Sequence, residues 1–146
     1  MQGNASIEGF HYAVPADLSS LAYPLAAAIL TGSELRITNI DLQDAQGDKK
    51  VISHFQRMGA LIDIEDKTLI VKKAKGLQGS SLDVNDCIDA TPLLAVVGCF
   101  AEGRTELRGA AIARMKESDR LSCITRELRK MGASIEEKAD GLIIYP

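Results

Sequence analysis

The sequence predicts an α/β (α+β) fold of two tandem β-α-β-α-β-β units, unit one over about residues 10–76 and unit two over about residues 80–146. Three observations carry this. Glu34-Leu35-Arg36 returns as Glu106-Leu107-Arg108. RMGALI (57–62) returns as KMGASI (130–135). TLIV (68–71) returns as GLII (141–144), and all three returns share almost the same offset. Agreement of order and spacing over a whole unit marks an internal repeat.

Each unit opens on a short strand, HYAV (11–14) and then SLDV (81–84). An apolar helix follows, over roughly 18–31 and 90–102. It has almost no polar face, so it must be surrounded, and enclosure by sheet meets that demand. Pro24 lies awkwardly in the first of these helices, where a kink or a later start would accommodate it. Next come a strand bearing Glu-Leu-Arg, a loop and an amphipathic helix. Val51, Phe55 and Met58 make one apolar stripe, and Leu121, Ile124, Leu128 and Met131 make the other. Gly59 and Gly132 each follow a Met where a left-handed cap wants glycine. A hairpin closes each unit: LIDI and TLIV across Glu65-Asp66-Lys67, then ASIEE and LIIY across Asp140-Gly141, a tight-turn pair. KKAKGLQGS (72–80) is a short basic connection that does not separate independent domains.

Composition narrows the function. The chain has 146 residues, enough for one core, and 4% aromatics with no Trp make that core aliphatic. A net charge of -3 argues against a nucleic-acid or anionic-membrane partner. PLLAVVGCFA (92–101) is too short to span a bilayer, and MQGNASIEG reads as a polar, frayed start rather than a secretory signal. The three cysteines fit no metal or redox spacing. Cys99 and Cys123, in apolar helical patterns, are expected buried, reduced and inert, in a reducing cytoplasm. His11 and His54 are far apart, which argues against a zinc site, and His54 is expected on a helix surface.

The chemistry concentrates in ARMKESDRLSCITRELRKMGA (113–133). Lys116 and Arg120 sit on the opening turn of a helix, where the dipole disfavours cations, and their spacing of four makes them repel. A bound anion resolves this, helped by the free backbone N–H groups there; so does a solvated face. Lys offers a point charge suited to phosphate and Arg a fork suited to carboxylate. Glu117 could simply pair with Arg120, and Asp119 is the expected cap. Asp89 directly precedes ATPLLAVVGCFAEG, so it reads as an N-cap. It also reads as a carboxylate at the mouth of a buried helix, able to accept a proton from a substrate hydroxyl. Asp17 holds the matching place in unit one, which favours a repeated cap. Arg104, Arg108 and Arg126 are expected to be solvated. Ser19-Ser20 reads as helix-start polarity, and QGDKK (46–50) is not a phosphate loop.

RMKESDRL (114–121), followed by a helix ending RKMGA, resembles the 5-enolpyruvylshikimate-3-phosphate synthase family, in which R-x-K-E-[ST]-D-R is characteristic. ADLSSLAYPLAAAIL (16–30) resembles that family's G-D-x-S-S-A-x-[YF] helix. QGD (46–48), with a helix ending RMGA, resembles its second helix. DATPLLAVVGCFAEGRTELRG (89–109) resembles its P-D-x-x-x helix and following strand, with Ile88 in place of the usual proline. The resemblance covers nearly the whole chain. It implies the inside-out α/β barrel of the enolpyruvyl transferases, whose building unit is the repeat described above.

It further implies transfer of the enolpyruvyl group of phosphoenolpyruvate to the 5-hydroxyl of shikimate-3-phosphate, in aromatic amino-acid (chorismate) biosynthesis. Phosphate leaves after a tetrahedral intermediate, with no metal or organic cofactor. By resemblance, Asp89 contacts the shikimate ring hydroxyls and helps move the hydroxyl proton. Lys116 stands near the reacting hydroxyl, Glu117 protonates the enolpyruvyl methylene, and Arg120 holds the phosphoenolpyruvate carboxylate. Ile112 stands where some members carry a ring-contacting Asn. The family has two domains of three units each. The chain is therefore expected to be a fragment of the carboxy-terminal domain, inactive alone, whose partner is the missing amino-terminal domain of the same chain. The alternatives are the related transferase acting on UDP-N-acetylglucosamine, against which the K-E-S-D-R run speaks, and a non-catalytic module on the same fold.

Overall fold

A computed structural model describes residues 3, 6 and 8–146; the polar start expected over MQGNASIEG falls largely outside them. Asp17 begins the first helix by accepting the N–H groups of Ser19 at 3.1 Å and Ser20 at 3.3 Å. Helix α1, Leu18–Thr31, ends at Gly32, whose φ of 64° lets the Ser33 N–H return to the Ala28 carbonyl at 2.9 Å. The helix runs through Pro24 without a later start. Pro24 faces outward, where the backbone carbonyl it leaves unpaired can meet water.

Strand β1, Leu35–Ile37, leads through a 3₁₀ turn (Gly47–Lys49) to helix α2, Lys50–Arg57, and the hairpin β2, Leu61–Glu65, and β3, Thr68–Lys72. These form an antiparallel sheet in the order β1-β3-β2, with Leu35 opposite Val71 and Ile62 opposite Val71 on its other side. Unit two runs β4, Ser81–Asp83, a 3₁₀ turn (Asn85–Ala90), α3, Thr91–Gly98, and β5, Thr105–Arg108. A further 3₁₀ turn (Ala111–Met115), α4, Arg120–Lys130, and the hairpin β6, Ser134–Lys138, and β7, Gly141–Tyr145, complete it. Its sheet has the order β4-β5-β7-β6, with β4 parallel to β5.

The first strand predicted for unit one is absent. Residues 11–14 form no ladder, and Tyr12 is 69% exposed. The contrast with β4 explains this. The Gly79 N–H donates to the Glu102 carbonyl at 2.6 Å, and the Glu106 N–H to the Ser80 carbonyl at 2.9 Å. This lead-in sets β4 along β5 and buries Leu82 and Val84. Among the described residues before 11, no such lead-in binds the chain to β1.

The amphipathic helices follow their stripes with one exception. Val51, Phe55 and Met58 are fully buried; Leu121 and Leu128 are buried and Ile124 half-buried, but Met131 is 83% exposed. Met58 lies under the inter-unit connection, where Gln78 donates its N–H to the Met58 carbonyl at 2.8 Å and Leu77 is buried. Met131 has no such cover among the described residues. Gly59 and Gly132 take φ of 95° and 97°, as a left-handed cap requires. The second hairpin turns at Ala139-Asp140, one residue earlier than predicted, because Gly141 already pairs with Lys138. Gly141 serves close approach instead: a Cβ there would meet the Leu107 carbonyl oxygen at 1.9 Å.

His54 overturns its surface assignment. It is 5% exposed, because α2 packs against unit two, where Arg57 donates to the Ser81 carbonyl at 3.1 Å and Lys50 pairs with Asp86 at 3.3 Å. The cysteines also differ from expectation. Cys87 is fully buried, and burial pushes its thiol up to about 12, whereas Cys99 and Cys123 are only half-buried. Buried side chains of both units join in one aliphatic core. Among the described residues, no helix is long and apolar enough to cross a membrane.

Candidate functional site

The site is assembled where two helix mouths of unit two meet. Beyond β5 the chain makes the 3₁₀ turn Ala111–Met115, runs extended at Lys116, and reaches Asp119, which caps α4 by accepting the Ser122 N–H at 3.1 Å. Asp119 thus takes its predicted role. Asp89 does not. It sits inside the 3₁₀ turn before α3, and the cap position falls to Ala90, which makes no side-chain bond.

The Asp89 carboxylate is drawn across to the other helix mouth. Its Oδ1 accepts from Arg120 Nη1 at 2.6 Å and lies 3.3 Å from Lys116 Nζ. Glu117 takes the other edge of the same guanidinium, with Oε1 and Oε2 each 2.9 Å from Nε and Nη2. Arg120, at 22% side-chain exposure, is therefore a bridge between two carboxylates. The four residues expected from the sequence converge on one cluster. Lys116, expected on the opening turn, lies before the Asp119 cap in extended backbone, so only Arg120 opposes the helix dipole, and two local anions offset the pair.

The electrostatics follow from these contacts. The Arg120 hydrogen bond, with Lys116 adding to it, holds the Asp89 carboxyl below the ordinary carboxylate range. Arg120 does the same to Glu117. Both acids are thus ionised near neutral pH and act as acceptors. Beside the cluster lies an open cleft of about 420 Å³ between α1, α3 and α4, bordered by Tyr23, Leu93, Cys123 and Ile124. Its size is that of a small-ligand site. The remaining sequence assignments hold: Arg104, Arg108 and Arg126 are exposed. Ser19 and Ser20 donate to Asp48 and Asp17 at the start of α1.

Sequence reasoning missed three supports. Arg114 Nη1 contacts Asp119 Oδ2 and Glu137 Oε1, each at 2.8 Å. Gln46 ties α1 down, accepting from Leu18 N–H at 2.8 Å and donating to the Ala16 carbonyl at 3.0 Å. Gly47 lets the backbone of unit one touch the turn that carries Asp89; a Cβ there would lie 2.3 Å from the Asp86 carbonyl oxygen. The QGD stretch was the available signal for the last two.

Repeated sheet-and-helix units with a charged helix-mouth cluster beside a cleft define an α/β repeat protein with a candidate small-ligand site. The family described as EPSP synthase (3-phosphoshikimate 1-carboxyvinyltransferase) matches residues 1–146, and the chain belongs to that family. A relative from Methanocaldococcus jannaschii named 3-phosphoshikimate 1-carboxyvinyltransferase is 44% identical over 142 residues, covering 97% of this chain and 33% of the relative. One of the same name from Chlamydia pneumoniae is 42% identical over 146 residues, covering 99% and 33%. A solved EPSP synthase from Acinetobacter baumannii superposes with a TM-score of 0.82 at 30% identity, covering 90% of this chain and 32% of that one. The chain spans about a third of the length of these relatives.

Proposed function

We propose that this chain is part of the carboxy-terminal domain of an enzyme that transfers the enolpyruvyl group of phosphoenolpyruvate to the 5-hydroxyl of shikimate-3-phosphate in aromatic amino-acid biosynthesis. In this reading residues 10–76 and 80–146 are two units of that domain, and Asp89, Lys116, Glu117 and Arg120 form its half of the active site. One observation carries the assignment: Arg120 gathers Asp89, at 2.6 Å, and Glu117, at 2.9 Å, beside Lys116. The proximity of these four side chains supports the assignment that the resemblance implies.

The roles are those the family resemblance implies, and charge and shape are compatible with each. Arg120 presents a planar fork that matches the phosphoenolpyruvate carboxylate. Lys116 supplies a point charge near the reacting hydroxyl. Asp89, ionised, is ready to orient the ring hydroxyls and accept a proton. Glu117 must be protonated to deliver a proton to the methylene, yet Arg120 now holds it ionised. Arrival of the substrate carboxylate at Arg120 relieves that hold, so binding itself prepares the acid. No metal or organic cofactor takes part. The other half of the site comes from the amino-terminal domain of the same chain, and the enzyme works in the cytoplasm.

Two measurements test this. An amide NMR titration with phosphoenolpyruvate and shikimate-3-phosphate should give saturable shifts in residues 87–92 and 113–122, and Arg120→Ala should abolish them. Sharp spectra with no shift in either segment would remove the preformed half-site. Phosphate release from both substrates is expected to be nil for this chain alone; measurable turnover would refute the half-site reading.

A further inference from the structure

The loop that carries Lys116 and Glu117 has no hydrophobic anchor. Met115 is 85% exposed, the Glu117 side chain is 67% exposed, and Ser118 is exposed too. Burial of Ala113 and Leu121 holds the flanks of the loop but reaches none of residues 115–118. Directed polar contacts at the two ends of the loop then set where those residues stand relative to Asp89.

Arg114 supplies them. Its Nε donates to the Ala139 carbonyl at 2.8 Å, and Nη2 donates to the Lys138 carbonyl, so the guanidinium grips the β6–β7 turn. Nη1 reaches Asp119 Oδ2 at 2.8 Å and Glu137 Oε1 at 2.8 Å. Ser122 Oγ donates to Glu137 Oε1 at 2.7 Å, and its N–H to Asp119 Oδ1 at 3.1 Å. The start of the loop, its end and the closing hairpin are thereby joined in one network. Networks of partly shielded charges hold geometry better than isolated surface pairs.

We propose that Arg114 is a positioning residue for the charged cluster: clamped by Glu137 and Asp119, it sets where Lys116 and Arg120 stand relative to Asp89. The functional meaning rests on the reading of that cluster as half an active site; the positioning itself does not. Lysine in its place would keep the charge but lose the planar fork that reaches two carboxylates and two carbonyls together.

The test uses Arg114→Lys and Glu137→Ala in this chain, reading the titration midpoint of the Asp89 carboxyl by carbon-13 NMR. Arg114→Lys preserves net charge, so a change in Asp89 reports geometry rather than long-range field. The midpoint should move upward, towards the ordinary carboxylate range, in both variants, and amides 116–118 should exchange faster while Leu107 and Leu142 keep their shifts. If Arg114→Lys does not fold, Glu137→Ala decides. A lowered melting temperature with an unmoved Asp89 midpoint would mean a merely structural role and overturn the proposal. The midpoint is read without ligand, so failure of phosphoenolpyruvate to bind would count against the functional reading alone.

Discussion

Asp17 and Asp89 occupy the same place in the two units and do different things. Asp17 caps α1, both of its carboxylate oxygens accepting from Ser19 and Ser20. Asp89 leaves α3 uncapped and turns to Arg120 and Lys116. The difference lies in the neighbouring loop. In unit one, residues 41–48 carry Asp41, Asp44 and Asp48 and no Lys or Arg, so nothing there draws an aspartate off its cap. Lys49 is turned back on its own loop, donating to the carbonyls of Leu42 at 3.1 Å and Asp44 at 2.8 Å. In unit two the corresponding stretch brings Lys116 and Arg120. There Asp89 meets two cations at once, whereas a cap would offer its carboxylate only backbone N–H groups. One scaffold position thus becomes structural or chemical according to the charge brought to it.

The largest way to break the symmetry is at the helix ends. Met58→Ala should cost about 3 kcal/mol, since Met58 is fully buried beneath the inter-unit connection. Met131→Ala, at the matching position, should stay within about 0.5 kcal/mol. Urea denaturation of the two variants checks this; equal losses would mean that Met131 is covered in solution. The hairpin starts come next. Gly141 matches Thr68, yet a Cβ at 141 would lie 1.9 Å from the Leu107 carbonyl oxygen. Gly141→Ala should therefore cost about 2 kcal/mol by overpacking, while Thr68→Ala should cost under about 1 kcal/mol. Similar denaturation midpoints for the two would contradict the close approach of β7 to β5.

The aspartates themselves give a smaller and more discriminating effect. Asp17→Ala should lower Tm by about 2–4 °C through loss of the cap. Asp89→Ala should change Tm little, because its partners are half-exposed ions. Amide shifts with inorganic phosphate should strengthen in Asp89→Ala, since Lys116 and Arg120 lose a competing carboxylate, and should be unchanged in Asp17→Ala. A drop in Tm from Asp89→Ala as large as that from Asp17→Ala would restore Asp89 as a cap.

The repeat was legible because strands, stripes and capping glycines are written in local pattern. Lys116, Glu117 and Arg120 were legible for the same reason: they lie close together along the chain. Asp89 could be named, but its release from the cap depends on Arg120, which lies in a different helix mouth. The Arg114 clamp depends on Glu137, in a distant hairpin that gives no local sign of it. The missing first strand was misread because Phe10, Tyr12 and Val14 alternate as a strand should, while the contacts that seat β4 lie in the preceding connection. Local chemistry is readable from one segment; pairing between segments is not.

His54 and Glu127 sharpen the comparison last, with the smallest effect. They hold matching helix positions in the two units. The face of α2 bearing His54 is covered by unit two, whereas the face of α4 bearing Glu127 borders the open cleft. Neither ring nitrogen of His54 has a hydrogen-bond partner among the described residues. Burial lowers its pKa, Arg57 and Lys50 add to the effect, and Asp83 offsets only part of it. The folded chain thus keeps His54 neutral at a pH where the unfolded chain, with an ordinary value of 6.5, takes a proton. Stability is fully present above that value and falls as pH drops below it towards the depressed folded value. His54→Leu removes both the unpaired nitrogens and the proton linkage. Its urea midpoint should be higher than that of the parent below about pH 6, and nearly flat from about pH 7 down to about pH 5.5, once carboxylate effects common to both are subtracted. Glu127→Leu should leave the pH dependence in that window unchanged, because Glu127 is exposed and its carboxyl, held low by Lys130, stays ionised throughout it. Parallel pH profiles for His54→Leu and the parent would show that the α2 face is solvated, and that the two units do not close on each other there.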